Sequence, residues 1–348
     1  MTERLRVCAL AGGRSVPSAR FRIGQLLPAL AAAGLDVDWR PARVSCYPPA
    51  RRWLRPLWLP TTIVARLPDV AATHRAQVTL LQREFVSTLA TLEFLTARPR
   101  VFDVDDAIWL NRESGFARRL AGAMDVVVAG NATLADWFGR YCARVEVLPT
   151  AVDTSRFTPA VSDPGVRPRP PAVGWIGTSA NFPYLLMWQE ALAAALRTRG
   201  DLRVRVCADR RPPLSGLPAD RLDFVPWSPE AEVPFLQSLD VGLMPLADTP
   251  WTRGKCSFKM LQYLACGIPA VVSPVGMNRE VLDAGLVGRA AATSDQAADA
   301  IIDLLGDAAA RAALGQAGRR LVLEHYSVEV VAPRLAAILT AAARVGRR

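Results

Sequence analysis

The chain has 348 residues, enough for about two domains of ordinary size, and its 51% hydrophobic content can fill two cores. With 42 basic against 32 acidic residues the formal net charge is +10, which favours an anionic partner such as a diphosphate or a membrane surface. No nucleic-acid-binding motif or basic stripe accompanies that excess, so nucleic acid is not an expected partner, and no apolar run reaches the ~18 residues needed to span a bilayer.

A strand over residues 5–10 leads into Gly12-Gly13-Arg14 and a helix from about 19 to 33. Strand, glycine turn and helix are the parts of a phosphate or sugar site, since glycine admits a ligand to the backbone and a helix N-terminus is electropositive. They equally make an ordinary tight turn. A second strand covers 35–41. Five prolines between Pro48 and Pro68 predict broken structure rather than one long helix over 47–67. There Arg51, Arg52 and Arg55 interleave with Trp53, Leu54, Leu57, Trp58 and Leu59, a mix suited to an anionic membrane surface. The alternative is tryptophans packed inward and arginines merely solvated. A strand at 78–81 and a helix at about 86–97 follow. In RVFDVDDAIWL (100–110), residues 101–104 read as a buried strand, which leaves Asp105 and Asp106 just past its C-terminal end. Carboxylates there can accept from sugar hydroxyls, act as a base toward an acceptor hydroxyl, or cap the next helix.

A strand at 125–129 precedes Asn131, a helix cap, and a helix to about 141; the next strand is 145–148. Five prolines in the 14 residues 158–171 mark an interdomain linker. Beyond it the alternation restarts with a strand at 173–176, the turn Gly177-Thr178-Ser179, and a helix over 181–198 with Leu185, Leu186, Trp188, Leu192 and Leu196 toward a core. Strands at 202–208, 222–225 and 241–245 follow. Trp227 either stacks on a nucleobase or fills a core.

Residues 251–282 read WTRGKCSFKMLQYLACGIPAVVSPVGMNREVL: a basic loop, a short amphipathic helix, a Gly-Ile-Pro turn, a buried strand and a second turn into another helix. The helix reading turns Phe258, Leu261, Tyr263, Leu264 and Ala265 inward and puts Lys255 and Lys259 one above the other on a polar side. The apolar strand 269–274 suits a parallel sheet covered on both faces, so its turns lie at a sheet edge, where open α/β sheets bind ligands. Helices ending near 305 and 325 and a last one from Ser327 complete the chain. His74 and His325 belong to no catalytic pattern. Six cysteines without CxxC spacing and only two histidines suggest neither zinc nor disulfides, but reduced thiols in a cytoplasmic protein.

The run KCSFKMLQYLACGIPAVVSPVGMNREVL resembles the nucleotide-sugar motif of retaining, family 4-like glycosyltransferases of the GT-B fold, the glycosyl transferases group 1. SARFR, DVDDAIW, VVVAGNATLADWF, VEVLPTAVDTSRF and VGWIGTSANFPYL are similar to further segments of that group. The resemblance implies an α/β protein of GT-B architecture, with two Rossmann-like domains whose parallel sheets face an interdomain cleft. It implies an acceptor domain over 1–157, the linker 158–171, a nucleotide-sugar domain over 172–325, and a C-terminal helix, 326–348, crossing back.

The implied reaction moves a sugar from a nucleoside-diphosphate sugar to an acceptor hydroxyl with retention of anomeric configuration and without metal or other cofactor. The acceptor is a sugar, a lipid-linked molecule or a small molecule, and the protein sits peripherally at the membrane if 47–67 binds lipid. On this footing donor contacts fall on Gly13, Arg14, Gly177, Thr178, Ser179, Trp227, Lys255, Ser257, Phe258, Lys259, Gln262, Gly276, Met277, Asn278 and Glu280. Acceptor contacts fall on Arg20, Asp105 and Asp106, and catalysis on Lys255, Lys259, Asp105 and Asp106. Relatives usually carry a Glu where Gln262 stands, a second Glu eight residues earlier at Gly254, and an Arg near Thr178-Ser179. The same departures would suit a partner protein that binds sugar nucleotide without turnover.

Overall fold

The computed structural model describes residues 4–111, 115–160 and 169–345. The chain divides into two compact units, the first comprising Met1–Ala151, Gly254–Cys256 and Val328–Arg348, the second Val152–Arg253 and Ser257–Ser327. Most of the expected linker, residues 161–168, lies outside the described residues.

Unit 1 is a parallel sheet of β1 (Leu5–Ala11), β2 (Leu35–Pro41), β3 (Val78–Gln82), β4 (Arg100–Val104), β5 (Val126–Ala129) and β6 (Val145–Val147), ordered β2-β1-β3-β4-β5-β6. β3 and β4 are buried at every position, as central strands covered on both faces must be. Helices α1 (Pro17–Arg22), α2 (Leu27–Ala32), α3 (Arg55–Thr73), α4 (Gly115–Ala123) and α5 (Ala132–Phe138), with the C-terminal helix Val328–Val345, complete it. One face of the sheet packs with Ile23, Leu26, Leu30 and Leu335, the other with Phe102, Phe116, Leu120 and Phe138. The strand order turns back between β1 and β3, so the C-terminal ends of those two strands flank a crevice.

Three local expectations change. The single helix over 19–33 is two, because Ile23 leaves helical geometry and Gly24–Leu26 tightens into a 3-10 turn. The helix expected over 86–97 is a loop with one 3-10 turn, Leu92–Leu95. Its organiser is Glu93, wholly buried, whose carboxylate accepts from the backbone N–H of Phe85 (2.7 Å) and Thr91 (2.5 Å). A side chain that satisfies loop amides competes directly with the helix ladder. Conversely, the proline-rich stretch expected to be broken runs as the 19-residue helix α3 with Pro60 and Pro68 inside it. Each proline removes one backbone hydrogen bond; tertiary anchoring along the buried face outweighs that loss.

Unit 2 holds a second parallel sheet of β7 (Ala172–Ile176), β8 (Arg203–Ala208), β9 (Leu222–Pro226), β10 (Val241–Met244), β11 (Ala270–Val272) and β12 (Gly288–Ala290), ordered β12-β11-β10-β7-β8-β9. Its helices are α6 (Phe182–Leu186), α7 (Gln189–Thr198), α8 (Pro229–Gln237), α9 (Pro250–Arg253), α10 (Phe258–Ala265), α11 (Met277–Asp283), α12 (Ser294–Gly306) and α13 (Ala308–His325). The helix expected over 181–198 breaks between α6 and α7, where Trp188 turns into the core. Strand order reverses between β7 and β10. There the two strands pair only at Val173–Val241 and Gly174–Gly242. Beyond that point the buried hydroxyl of Tyr263 bridges them, accepting from the Ile176 amide and donating to the Leu243 carbonyl, both at 3.1 Å. Helix α10 is thereby locked to the sheet at the place where an open α/β sheet binds its ligand. Among the described residues no helix is long and apolar enough to cross a membrane.

Candidate active site

In unit 2, Gly177 follows the last residue of β7, and the side chain of Lys259 from α10 lies across it. A Cβ at Gly177 would stand 2.7 Å from Lys259 Cε and 2.6 Å from the Trp175 ring, so only glycine leaves room. Lys259 Nζ sits 5.8 Å over the ring of Trp175 on β7, a cation–π distance. Helix α10 carries no side-chain cap: Ser257 precedes it in a left-handed conformation (φ 50°), with no hydrogen bond from its hydroxyl to the first turn.

The neighbouring candidates are more committed than the motif suggested. Ser257 Oγ donates to Asn278 Oδ1 at 2.5 Å, and Asn278 Nδ2 donates to the Ser273 carbonyl at 3.0 Å. Both residues are buried and join α10 to the turn before α11. Ser179 donates through its amide (2.6 Å) and hydroxyl (2.7 Å) to Asp209. Burial alone would raise the Asp209 carboxyl, but the Ser179 bonds outweigh it and hold that group below its ordinary range. Thr178 Oγ1 accepts from Asn181 Nδ2 at 3.0 Å. Gly276 takes φ 52°, and a Cβ there would meet the Arg253 carbonyl at 2.6 Å, so the turn into α11 requires glycine. Met277 is buried, Glu280 is exposed with its carboxyl raised by desolvation, Phe258 is half-buried, and Trp227 is half-buried after the edge strand β9.

Gln262 lies buried, and its Nε2 donates to Glu232 Oε1 at 3.1 Å. The other oxygen of Glu232 accepts from Arg156 Nη2 at 2.9 Å. A carboxylate therefore stands beside the expected position, supplied by α8 rather than α10.

The expectation that Lys255 and Lys259 share a helix face is overturned. Helix α10 starts at Phe258, and Gly254–Cys256 belong to unit 1. In that unit the Lys255 carbonyl accepts from Asn131 Nδ2 at 3.1 Å, and the buried Cys256 thiol donates to the Asp105 carbonyl at 3.2 Å. Gly254 packs on Ala107 so closely that the carboxylate usual in relatives has no room there.

Past β4, the two aspartates separate in role. Asp106 pairs with Arg83 at 3.0 Å. Asp105 keeps Oδ1 buried without a hydrogen-bond partner, and burial, then the Asp106 charge, push its carboxyl up to about 6. Underneath, Arg22 grips the buried Asp103 through Nε (2.9 Å) and Nη2 (2.6 Å) and reaches the Leu148 carbonyl (2.8 Å). Gly13 forms the turn after β1, Arg14 lies exposed over the Trp39 ring and Arg20 over the Phe21 ring.

Unassigned by motif reading is a small cavity between the ends of β1 and β3, lined by Gly12, Val16, Cys46, Tyr47, Gln82, Arg83, Glu84 and Ser87. Gln82 Nε2 and Glu84 Oε2 are buried there without hydrogen-bond partners. Their signal was available: Gln82-Arg83-Glu84 close a buried strand just as Asp105 does.

An α/β chain of two six-stranded parallel sheets, with a cation laid over a glycine turn at one reversal point, has the architecture of the GT-B glycosyltransferases. Residues 170–307 match the family described as Glycosyl transferases group 1. Among solved structures, sucrose-phosphate synthase from Thermosynechococcus elongatus is 16% identical with TM-score 0.74, covering 97% of this chain and 99% of its own. HepE of Anabaena in complex with UDP is 14% identical with TM-score 0.67, covering 97% and 100%. WaaG, a glycosyltransferase involved in lipopolysaccharide biosynthesis, is 13% identical with TM-score 0.68 over the same shares. Such likenesses report the fold. No curated protein matches the chain in sequence.

Proposed function

We propose that the protein transfers a sugar from a nucleoside-diphosphate donor to an acceptor hydroxyl, with retention of configuration and with protein cations, rather than a metal, meeting the departing diphosphate. The observation that carries this reading is Lys259 laid across Gly177 at the reversal point of unit 2, inside the matched domain. The bond from the anomeric carbon to the diphosphate oxygen breaks, the acceptor hydroxyl adds to that carbon from the face the diphosphate leaves, which retains configuration, and negative charge grows on the leaving oxygen. Contacts that tighten as this charge grows lower the barrier. Lys259 and the uncapped first turn of α10 supply them, each charge-assisted contact being worth roughly 1.5–3 kcal/mol.

Unit 1 takes the acceptor. Asp105, ionised above about pH 6 and with one oxygen unpartnered, receives the hydroxyl proton. Gln82 Nε2 offers a donor without a hydrogen-bond partner, and Glu84 Oε2, ion-paired with Arg83 at 3.7 Å, an acceptor without one, a combination suited to a molecule with several hydroxyls. Lys255, next to Cys256 in the segment joined to Asp105, adds a second cation.

The test is thermal shift and product analysis with UDP-, GDP- and dTDP-sugars, with and without EDTA. UDP-glucose comes first, because HepE has been solved in complex with it. Stabilisation by one donor with EDTA-resistant turnover and a retained anomer supports the reading; loss of turnover with EDTA or an inverted product refutes the corresponding part. A second reading, a sugar-nucleotide-binding partner of another transferase, draws on the missing carboxylates at Gly254 and Gln262. Donor stabilisation with no hydrolysis and no transfer to any acceptor would favour it.

A further inference from the structure

Helix α3 carries its polarity the opposite way from an ordinary helix packed on a sheet, whose apolar stripe faces the core. Its buried stripe includes Thr62, Arg66, Asp69 and Thr73, spaced along one face. Apart from Arg66 Nε, which is buried without a hydrogen-bond partner, these groups bond inside unit 1. Arg66 donates to the Ala11 carbonyl, to the Arg40 carbonyl at 3.2 Å and to Asp69 at 3.2 Å. Thr62 donates to the Trp58 carbonyl at 2.8 Å, and Thr73 donates to the Val70 carbonyl at 2.6 Å while accepting from the Ala97 amide at 2.9 Å.

The apolar stripe points outward. Trp53, in the turn that opens the helix, is 71% exposed, Leu57 70%, Val64 61% and Leu67 47%. Scattered exposed apolar residues are ordinary, but an aligned row on one helix is an interaction surface. The segment that carries it has one sign of charge: residues 41–68 contain five arginines and no Asp or Glu, and Arg43, Arg51, Arg52 and Arg55 are exposed. Trp58 is pinned by its indole N–H to the Ser45 carbonyl at 2.9 Å, which fixes the helix start and leaves Trp53 standing clear.

We infer that this face docks unit 1 on an anionic lipid bilayer, with Trp53 and Leu57 entering the headgroup boundary and Arg51 and Arg52 meeting lipid phosphates. An apolar ridge flanked by cations complements a surface that is apolar at depth and negative at its rim, and tryptophan suits that boundary. The inference is independent of the transfer chemistry, and its assay needs no donor.

The experiment is co-sedimentation of the full chain with vesicles of phosphatidylcholine, alone or mixed with phosphatidylglycerol. The wild type is expected to pellet with the anionic vesicles, more weakly at high salt, and hardly at all with neutral ones. Trp53→Ser combined with Leu57→Ser should weaken binding roughly tenfold or more. Arg51→Gln combined with Arg52→Gln should weaken it on the order of twenty- to thirtyfold, about one kcal/mol per arginine near the surface. All four side chains are exposed, so an unchanged melting midpoint serves as the folding control. Failure of the wild type to bind anionic vesicles, or equal binding by either double variant, overturns the inference. So does a concentration-dependent dimer that Trp53→Ser dissociates, which would assign the face to a second copy.

Discussion

Gly254 rests directly on Ala107: a Cβ on the glycine would stand 2.8 Å from the Ala107 Cβ and 3.2 Å from its backbone nitrogen. The carboxylate that relatives usually carry at this position is thus excluded by packing, and the carboxylates nearest in that chain segment are Asp106 and Asp105, one and two residues before Ala107. Gly254→Glu should destabilise unit 1 by about 1–3 kcal/mol through overpacking, without gain of activity. Thermal melts alongside transfer assays would check this, and an unharmed, more active variant would refute the packing account.

Gln262→Glu restores the other usual carboxylate but buries it against Glu232, now 3.1 Å from the amide nitrogen. Two such carboxylates cannot both ionise cheaply, so one has its folded-state pKa raised. A carboxyl raised on folding contributes stability at low pH that is lost as pH rises through the folded value. The variant should therefore match the wild type best near pH 4–5 and fall behind by a few kcal/mol toward pH 8, the order seen when a buried charge lacks its partner. Melting curves across that range measure it; a gap that narrows as pH rises would contradict the pairing.

Asp105 is predicted to set the acidic limb of transfer, with activity falling below about pH 6 as its carboxyl protonates. Asp105→Asn should lower kcat by roughly 10²–10⁴-fold, the range for a lost general base. Because the folded carboxyl is raised, ionising it at neutral pH costs stability. The Asn variant should consequently melt higher than the wild type at pH 7.5 and lose that advantage at pH 4–5. A pH–rate profile and two melts decide the matter.

Lys259→Ala should weaken donor binding about 10- to 100-fold, the equivalent of one charge-assisted contact. Gly177→Ala offers a second route to the same loss, since its methyl collides with Lys259 Cε and the Trp175 ring while leaving every charge in place. Calorimetric titration with the stabilising nucleotide sugar would read both, and unchanged affinity in both would remove Lys259 from the site.

Arg22 and Asp103 are only 2% exposed as a pair. Arg22→Met should cost roughly 3–5 kcal/mol by stranding the Asp103 charge, whereas the double change with Asp103→Leu should recover much of that loss. Denaturant curves for the single and double variants give the coupling.

The alternation of buried strands and amphipathic helices was legible from the chain, and so were the turns at strand ends, because parallel strands declare themselves as apolar runs whatever packs around them. β4 with Asp105 and Asp106 at its end, the Gly177 turn and the Gly276 turn all stand where periodicity and glycine placed them. What pattern could not supply was the company each side chain keeps. Glu93 reads as one more helix former until its carboxylate is seen to hold two loop amides. α3 reads as proline-broken until Arg66 reaches the Ala11 carbonyl. Lys255 and Lys259 are four apart in sequence, yet the helix that would stack them begins only at Phe258. Gln262 and Ser179 are polar residues in a ligand motif, but Glu232 and Asp209 already occupy them. Sequence alone determined the order of strands and turns, since that depends on local hydrophobic period and backbone freedom; only the tertiary structure decided which polar groups are spent on the fold and which, like Asp105 Oδ1 and Gln82 Nε2, keep no hydrogen-bond partner, since such partners come from residues distant in the chain.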